Sequence, residues 1–432
     1  MKNLLICVLL CLIPGCNGSQ AVQEVHEMEL DNGLKVVLLP LPTATTNTLV
    51  VLYDVGNRFD PPGKSGMAHL SEHLYVTAAT ENTKARNVQE YVAAYPDGWN
   101  AQTGDDYTVI ATVFKAHRTD DELADAAERM RKIKVDQADL DRELPRIDVE
   151  LRNMYGGFPM LAVANHGRHH ASPLPNDGRR GGKIEELNTV TVAEIQNWLD
   201  QYYKPGNATL VLAGAFDEQS IRQAITEQFG GIPKGDEPNA PKTASQEIDT
   251  TVHTIELQQV SAKLRVGFTF QAPKPDNPLF GAFLVLATRM QMNAMKQSKN
   301  PQDIPFMFRP LDDPGFFYAS VDVAEDESAD AALVRLEKMI TDELGAELKK
   351  HQVTSTKAQM AMFFGTREVP HQMKAMNPYG SAFSLARRLQ TGVDSEKLIE
   401  QLDGLDNEQM QQAAESFFSA KNRATIIANP KK

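Results

Sequence analysis

The stretch Tyr202-Tyr203-Lys204-Pro205-Gly206-Asn207-Ala208-Thr209-Leu210-Val211-Leu212-Ala213 returns, about 215 residues later, as Phe417-Phe418-Ser419-Ala420-Lys421-Asn422-Arg423-Ala424-Thr425-Ile426-Ile427-Ala428. Each reads as the end of an amphipathic helix closed by an aromatic pair, then a turn, then an apolar strand. Such a pairing within one chain points to a tandem duplication. A length of 432 residues agrees, being more than one ordinary hydrophobic core serves. Between the copies, Gly230-Gly231-Ile232-Pro233-Lys234-Gly235-Asp236-Glu237-Pro238-Asn239-Ala240-Pro241 is rich in turn-forming residues and poor in anything that packs. The expected division is a leader over 1–20, a first domain over 21–230, a linker over 231–249 and a homologous second domain over 250–432.

Strand-like runs at 33–39, 48–55, 107–114 and 209–212 alternate with helical stretches near His69 and at 87–95, 121–132 and 192–202. The expected class is α+β: two tandem α/β sandwich domains, each a mostly antiparallel sheet covered by helices. The apolar, Met-bearing run 280–295 reads as a buried helix.

Composition narrows function by exclusion. A formal charge of −13 and a pI near 5.3 leave no basic face for phosphates, so no nucleic-acid partner is expected. Met1-Lys2-Asn3 followed by the apolar run 4–12 has the basic start and short greasy core of a secretory signal. All three cysteines, Cys7, Cys11 and Cys16, fall within or at the end of it, leaving no disulfide for the remainder. Ile13-Pro14-Gly15-Cys16 resembles a bacterial lipobox, which implies lipidation at Cys16, a membrane anchor and a place in the periplasm or cell envelope.

The chemistry concentrates at Gly66-Met67-Ala68-His69-Leu70-Ser71-Glu72-His73. On a helix His69 and His73 lie on one face, four residues apart, with Glu72 beside them, the H-x-x-E-H order of inverted zinc sites. Zinc accepts histidine nitrogen and carboxylate oxygen and keeps a fourth position open, so a third ligand is required. Glu150 is the candidate, in the charged stretch Asp141-Arg142-Glu143-Leu144-Pro145-Arg146-Ile147-Asp148-Val149-Glu150. Glu143, two helical turns earlier, shares its face and is a candidate to orient a histidine or the water. Pro145 is tolerable if it begins this helix and disruptive inside it. Glu72 is then the natural general base for a metal-activated water. The cluster His166, His169 and His170 has the composition of an exposed loop and no carboxylate at ligand spacing, so no metal is assigned to it.

Taken together, these residues resemble the insulinase, or pitrilysin, family of zinc metallopeptidases, in its short two-domain branch similar to mitochondrial processing peptidase and bacterial homologues. Leu30-Asp31-Asn32-Gly33-Leu34-Lys35-Val36 matches the family's opening strand, 66–73 its zinc helix, Trp99-Asn100-Ala101-Gln102-Thr103 its Asn-Ala segment and Tyr203-Lys204-Pro205-Gly206-Asn207 its turn; Glu150 follows His73 by the family interval of 77 residues. The resemblance implies a Zn²⁺-dependent endopeptidase or oligopeptidase acting on unfolded peptides. It also implies a half-clamshell that pairs as a homodimer or with a related subunit. A peptide substrate would add as a strand near Asn100 and Ala101. The second-domain arginine and tyrosine of the family find their counterparts in Arg309 and Tyr318. The rivals are a non-catalytic partner or scaffold subunit, which would ordinarily have lost part of this residue set, and a metal hydrolase acting on a non-peptide bond.

Overall fold

A computed structural model describes residues 25–157, 159–171, 181–236, 248–257, 263–297, 305–309, 315–364 and 377–430. The first sheet contains β1 (His26–Glu29), β2 (Lys35–Pro40), β3 (Asn47–Tyr53), β4 (Trp99–Thr103), β5 (Thr108–Phe114) and β6 (Ala208–Gly214), in the order β1-β2-β6-β3-β5-β4. A second sheet contains β7 (Val252–Glu256), β8 (Arg265–Gln271), β9 (Phe306–Arg309), β10 (Phe316–Asp322) and β11 (Arg423–Asn429), in the order β7-β11-β8-β10-β9. Without β1 the two orders are the same. In each sheet the opening and closing strands, β2 with β6 and β7 with β11, pair in parallel while the other pairs are antiparallel.

The helices of the first half are α1 (Met67–Thr77), α2 (Val88–Ala94), α3 (Thr119–Arg131), α4 (Gln137–Gly157), α5 (Pro159–Ala171), α6 (Ile184–Leu187), α7 (Val192–Tyr202) and α8 (Glu218–Phe229). The second half contributes α9 (Phe280–Gln297), α10 (Ala329–Leu344), α11 (Lys350–Phe364), α12 (Pro378–Thr391), α13 (Ser395–Asp403) and α14 (Asn407–Phe417). The repeat read from sequence is repeated in hydrogen bonds. Helix α7 opens on a capping box between Thr191 and Glu194, α14 on one between Asp406 and Gln409. After each comes a single 3-10 turn whose asparagine donates its side-chain N–H back to the helix end: Asn207 to the Tyr202 carbonyl at 2.9 Å and Asn422 to the Phe417 carbonyl at 2.7 Å. That bond satisfies a terminal carbonyl and aims the chain into β6 or β11.

Every residue of β3 and β6 is buried, so both faces of the first sheet are covered. Side chains alternate between them. Val36, Leu38, Leu49, Val51, Leu210 and Leu212 belong to the main core under α1, α3, α7 and α8. Val37, Leu39, Val50, Leu52, Val211 and Ala213 pack instead against Ala382, Leu385 and Ala386 of α12, a helix from the other half. The exchange is mutual. Helix α5 lies on β8 and β11, where Ala164 and Ala171 meet Phe316, Tyr318 and Ala424. A Cβ on Gly167 would come within 2.1 Å of the Thr269 hydroxyl, so glycine alone permits this approach. Buried Arg168 on α5 forms a two-pronged pair with buried Asp105, just past β4.

Two expectations need correction. The segment carrying His166, His169 and His170 is helix α5 and not a loop, because its Val163, Ala164 and Arg168 are buried, a tertiary contribution that composition does not carry. Pro145 lies inside α4 and the helix continues through it, at the cost of one backbone hydrogen bond. The helix expected over 280–295 is α9, with Ala282 to Ala287 wholly buried. The leader, Cys16 and most of the linker, 237–247, lie outside the described residues. Among the described residues no helix is long and apolar enough to cross a membrane.

Candidate active site

All eleven residues of α1 are buried, so its polar side chains must find partners indoors. Its start is fixed by Asp60, whose carboxylate accepts the N–H groups of Gly66 at 2.6 Å and Ala68 at 2.9 Å. Burial nonetheless lifts that carboxyl to about 7, against the lowering effect of the two N–H donors. Gly66 has φ +104°, and a Cβ there would stand 2.8 Å from Leu187 Cδ1 and 2.9 Å from the Gly181 carbonyl oxygen. The chain turns sharply into the helix where no other residue fits.

The two imidazoles lie 4.8 Å apart, centroid to centroid, at 88°. His69 Nδ1 faces the Gly181 carbonyl at 3.2 Å; a carbonyl only accepts, so Nδ1 donates there and Nε2 is the nitrogen turned toward Glu150. That Nε2 is 3.5 Å from Glu150 Oε1, and His73 Nε2 is 3.4 Å from Glu150 Oε2. His73 Nδ1 is 3.2 Å from Glu143 Oε2. Glu143 is itself fully buried and gripped by Arg142, Nε to Oε1 at 3.0 Å, and by Arg146. The α4 face thus supplies one carboxylate to the outer nitrogens of both rings and one to the inner nitrogen of His73.

These contacts set the charges. Burial alone would lower the His73 pKa, but the hydrogen bonds the ring donates to Glu143 and Glu150 overrule it and raise it to about 9. Hydrogen bonds from His69 and then His73 hold Glu150 well below the usual carboxylate range. Glu143 is also lowered: burial opposes ionisation, and His73 and Arg146 outweigh it. Two nitrogens and one carboxylate at these separations suit a small divalent cation, since donors at about 2.0–2.1 Å from a tetrahedral zinc are roughly 3.3 Å apart. Glu150 is about half exposed, which leaves the open side of the cluster facing solvent. A Glu143-type partner on the far nitrogen is also what a ligating histidine needs to stay oriented.

Glu72, buried beside the pair, accepts a hydrogen bond from the Thr103 hydroxyl at 2.6 Å. Thr103 ends β4, the terminal strand of the first sheet, and Asn100 and Ala101 lie on the same strand. Asn100 donates to the Tyr379 hydroxyl of α12 at 3.0 Å. Residues 99–103 are legible in the sequence as a segment, whereas the contacts of Thr103, Asp60 and Gly181 with α1 depend on the fold. An acidic residue just ahead of a helix start was the available signal for Asp60. Arg309 closes β9 with its backbone opposite Phe316, and its side chain lies outside the described residues. Tyr318 sits in β10, buried against Ala164 and Ala171 of α5.

Comparison with known proteins agrees with this arrangement. Residues 35–155 match the sequence model described as "Insulinase (Peptidase family M16)", and residues 189–360 match "Peptidase M16 inactive domain". The zinc protease PqqE of Helicobacter pylori is 28% identical over 245 residues, 54% of this chain and 53% of that protein. The beta subunit of the mitochondrial-processing peptidase of Saccharomyces cerevisiae is 23% identical over 228 residues, 51% of this chain and 47% of that protein. The chain thus spans about half the length of the curated relatives it matches. Among solved structures, a protease from Helicobacter pylori superposes with a TM-score of 0.78 at 20% identity, covering 95% of this chain and 100% of that one. The periplasmic protease PqqL from Escherichia coli superposes at 0.67 and 14% identity, covering 95% of this chain and 48% of that one. With a duplicated sheet order, the histidine pair on a buried helix and both halves matched by the family's own sequence models, the chain belongs to the insulinase family, peptidase family M16.

Proposed function

We propose that the chain is a zinc-dependent endopeptidase or oligopeptidase acting on unfolded peptides, with His69, His73 and Glu150 as metal ligands and Glu72 as general base. The observation that carries this reading is the convergence of three ligand atoms beside a carboxylate held by Thr103 at the end of an edge strand. The names of the matched relatives, zinc protease and processing peptidase, support zinc and peptide as the metal and substrate.

A zinc ion held there would supply Lewis acidity to a scissile carbonyl and make water a better nucleophile at neutral pH. The chain's own residues do the rest. Glu72 takes the proton of the attacking water and returns it to the leaving amine. The Thr103 hydroxyl holds one Glu72 oxygen and leaves the other for that proton. Glu143, clamped by Arg142 and Arg146, keeps the His73 ring from turning. The outer edge of β4 offers main-chain N–H and C=O groups to an extended peptide, recognition that is largely indifferent to side chains. Asn100 and Ala101 would line it, with Arg309 and Tyr318 as second-half contacts.

We further propose that 21–230 and 250–432 are the duplicated domains, joined by 231–249, with the second serving as scaffold. Where α1 carries histidines, the corresponding buried helix α9 presents Ala282-Phe283-Leu284-Val285-Leu286-Ala287, within the residues 189–360 that match the "inactive domain" description. The chamber would be completed by a second copy or a related subunit; PqqL, of which this chain covers 48%, supports such an assembly of two halves. Export to the cell envelope, with Cys16 as lipid anchor, completes the reading.

The test is Glu72→Gln in the purified full chain. It should bind one zinc at the His69 cluster yet cleave a mixed peptide pool at least about 100-fold more slowly than wild type. Full activity in this variant would falsify the role. Chelator-insensitive wild-type cleavage would remove the metal from the account, and wild-type silence in the presence of bound zinc would favour the scaffold subunit.

A further inference from the structure

Outside the His69 cluster, the last turn of α5 meets the strand that opens the second sheet. The His170 ring stacks on that of His253 in β7, centroids 3.4 Å apart and planes within 7°. Asp249, where the chain re-enters after the linker, donates its backbone N–H to the His170 carbonyl at 3.0 Å. Its carboxylate is divided in two. Oδ1 accepts the Thr251 N–H at 3.0 Å and the Thr251 hydroxyl at 2.7 Å. Oδ2 lies 3.1 Å from His253 Nε2 and 4.0 Å from His170 Nδ1. One ligand atom from each of the three residues lies within 4.8 Å of the others.

From this geometry we infer that His170, Asp249 and His253 form a second binding site for a divalent transition-metal ion, separate from the His69 cluster and structural in purpose. Two imidazole nitrogens and one carboxylate oxygen are a borderline donor set, suited to zinc or nickel and unsuited to magnesium or calcium, which take oxygen. The separations of 3.1 and 4.0 Å bracket the roughly 3.3 Å between donors on a tetrahedral zinc. The Thr251 bonds fix the far oxygen of Asp249 and so aim the near one, the support that a ligating carboxylate requires. Both rings are partly exposed, 25% and 19%, so an ion can reach them; because the nitrogen lone pairs lie in the ring planes, sharing it requires one ring to turn out of the parallel stack. Against this stands a self-satisfied histidine stack beside an aspartate. The stack and an ordinary pair of His253 with Asp249 account for two of the three ligand atoms, with the Thr251 hydroxyl oxygen also 3.2 Å from the same Nε2; what they leave over is the approach of His170 Nδ1 to the same carboxylate oxygen.

The site would also do something for the fold. Helix α5 belongs to the first half by sequence and covers the second sheet, and β7 is the edge strand of that sheet. An ion shared between them clips the re-entering chain to the exchanged helix. It binds the folded chain and not the unfolded one, and therefore stabilises it by mass action.

The experiment counts metal in the untagged full chain, stripped with chelator and reloaded with zinc or nickel chloride. Wild type should take two equivalents; His253→Ala and Asp249→Asn should each take one, with unchanged circular dichroism. Asparagine keeps an acceptor oxygen for Thr251 and puts an NH2 donor, which does not ligate, in place of the other oxygen. The His69→Ala variant reads the site from the other side, keeping one equivalent and gaining about 3 °C in Tm at an ion concentration 100 times its Kd. The inference is overturned if wild type takes a single equivalent that His69→Ala abolishes, or if His253→Ala and Asp249→Asn still take two. None of these outcomes depends on peptidase activity, so the site can fail while the proposed function stands, and the reverse.

Discussion

Metal uptake at the His69 cluster should be an exchange of ion for proton. The perturbation is pH. In the ion-free chain burial works against an imidazolium at His73, yet the hydrogen bonds it donates to Glu143 and Glu150 carry its pKa to about 9. Against an ordinary histidine at about 6.5, that is roughly 3 kcal/mol in favour of the protonated ring. Its Nε2 faces Glu150 and must lose its proton to bind a cation. At pH 7 the protonated form therefore outnumbers the neutral one by about 100 to 1, and apparent zinc affinity should sit about 100-fold below its plateau and climb about tenfold per pH unit up to 9. Glu150, held low by both histidines, stays ionised throughout and adds nothing to the slope. Isothermal titration near pH 7 in buffers of different ionisation enthalpy should show about one proton released per ion, measured in the His253→Ala background so that one site reports. The same pKa has a stability consequence of opposite sense. A folded value above the unfolded one contributes stability that is fully present below about pH 6.5 and is lost as pH rises through about 9, so the metal-free chain should lose Tm across that window. Buffer-independent heats together with flat affinity between pH 6.5 and 8.5 would refute the reasoning.

Three further outcomes follow from contacts already described. Thr103→Val removes one hydrogen bond to the Glu72 carboxylate, worth about 1.5–3 kcal/mol, and should lower kcat about 10- to 100-fold at constant zinc content; an unchanged kcat would mean that Thr103 does not position the base. Gly66→Ala combines a φ of +104° with a Cβ 2.8 Å from Leu187 and should cost at least about 2 kcal/mol in urea unfolding, so a wild-type midpoint would contradict it. Arg168→Met strands buried Asp105 and should cost about 3–5 kcal/mol, most of it regained by adding Asp105→Leu; absence of that rescue would show that the pair is not what matters.

The duplication and the grouping of His69, His73 and Glu150 were legible because both rest on local rules. A helix puts His69 over His73 and Glu143 two turns from Glu150 whatever the rest of the fold does, and the turns around Asn207 and Asn422 carry their own hydrogen bonds. What stayed hidden depends on distant partners. Strand β4, with Asn100, Gln102 and Thr103 and no buried residue, shows no apolar alternation because an edge strand needs none. Helix α5 reads as a polar loop until the second sheet buries it. Asp249 meets His170 across 79 residues of sequence, a distance over which no ligand spacing can be read. The packing of Tyr318 in β10 against Ala164 and Ala171 of α5 is likewise set by a partner far off in sequence.

Because α5 roofs the second sheet and α12 roofs the first, neither half owns both sides of its own core. Fragments made separately would each carry one naked apolar floor and one orphaned amphipathic rod, and should precipitate alone yet recombine when expressed together. The same interlacing denies the chain an internal hinge. On the proposed function, the gape that lets a peptide in would open where this molecule meets its companion, leaving its own two lobes locked as one jaw.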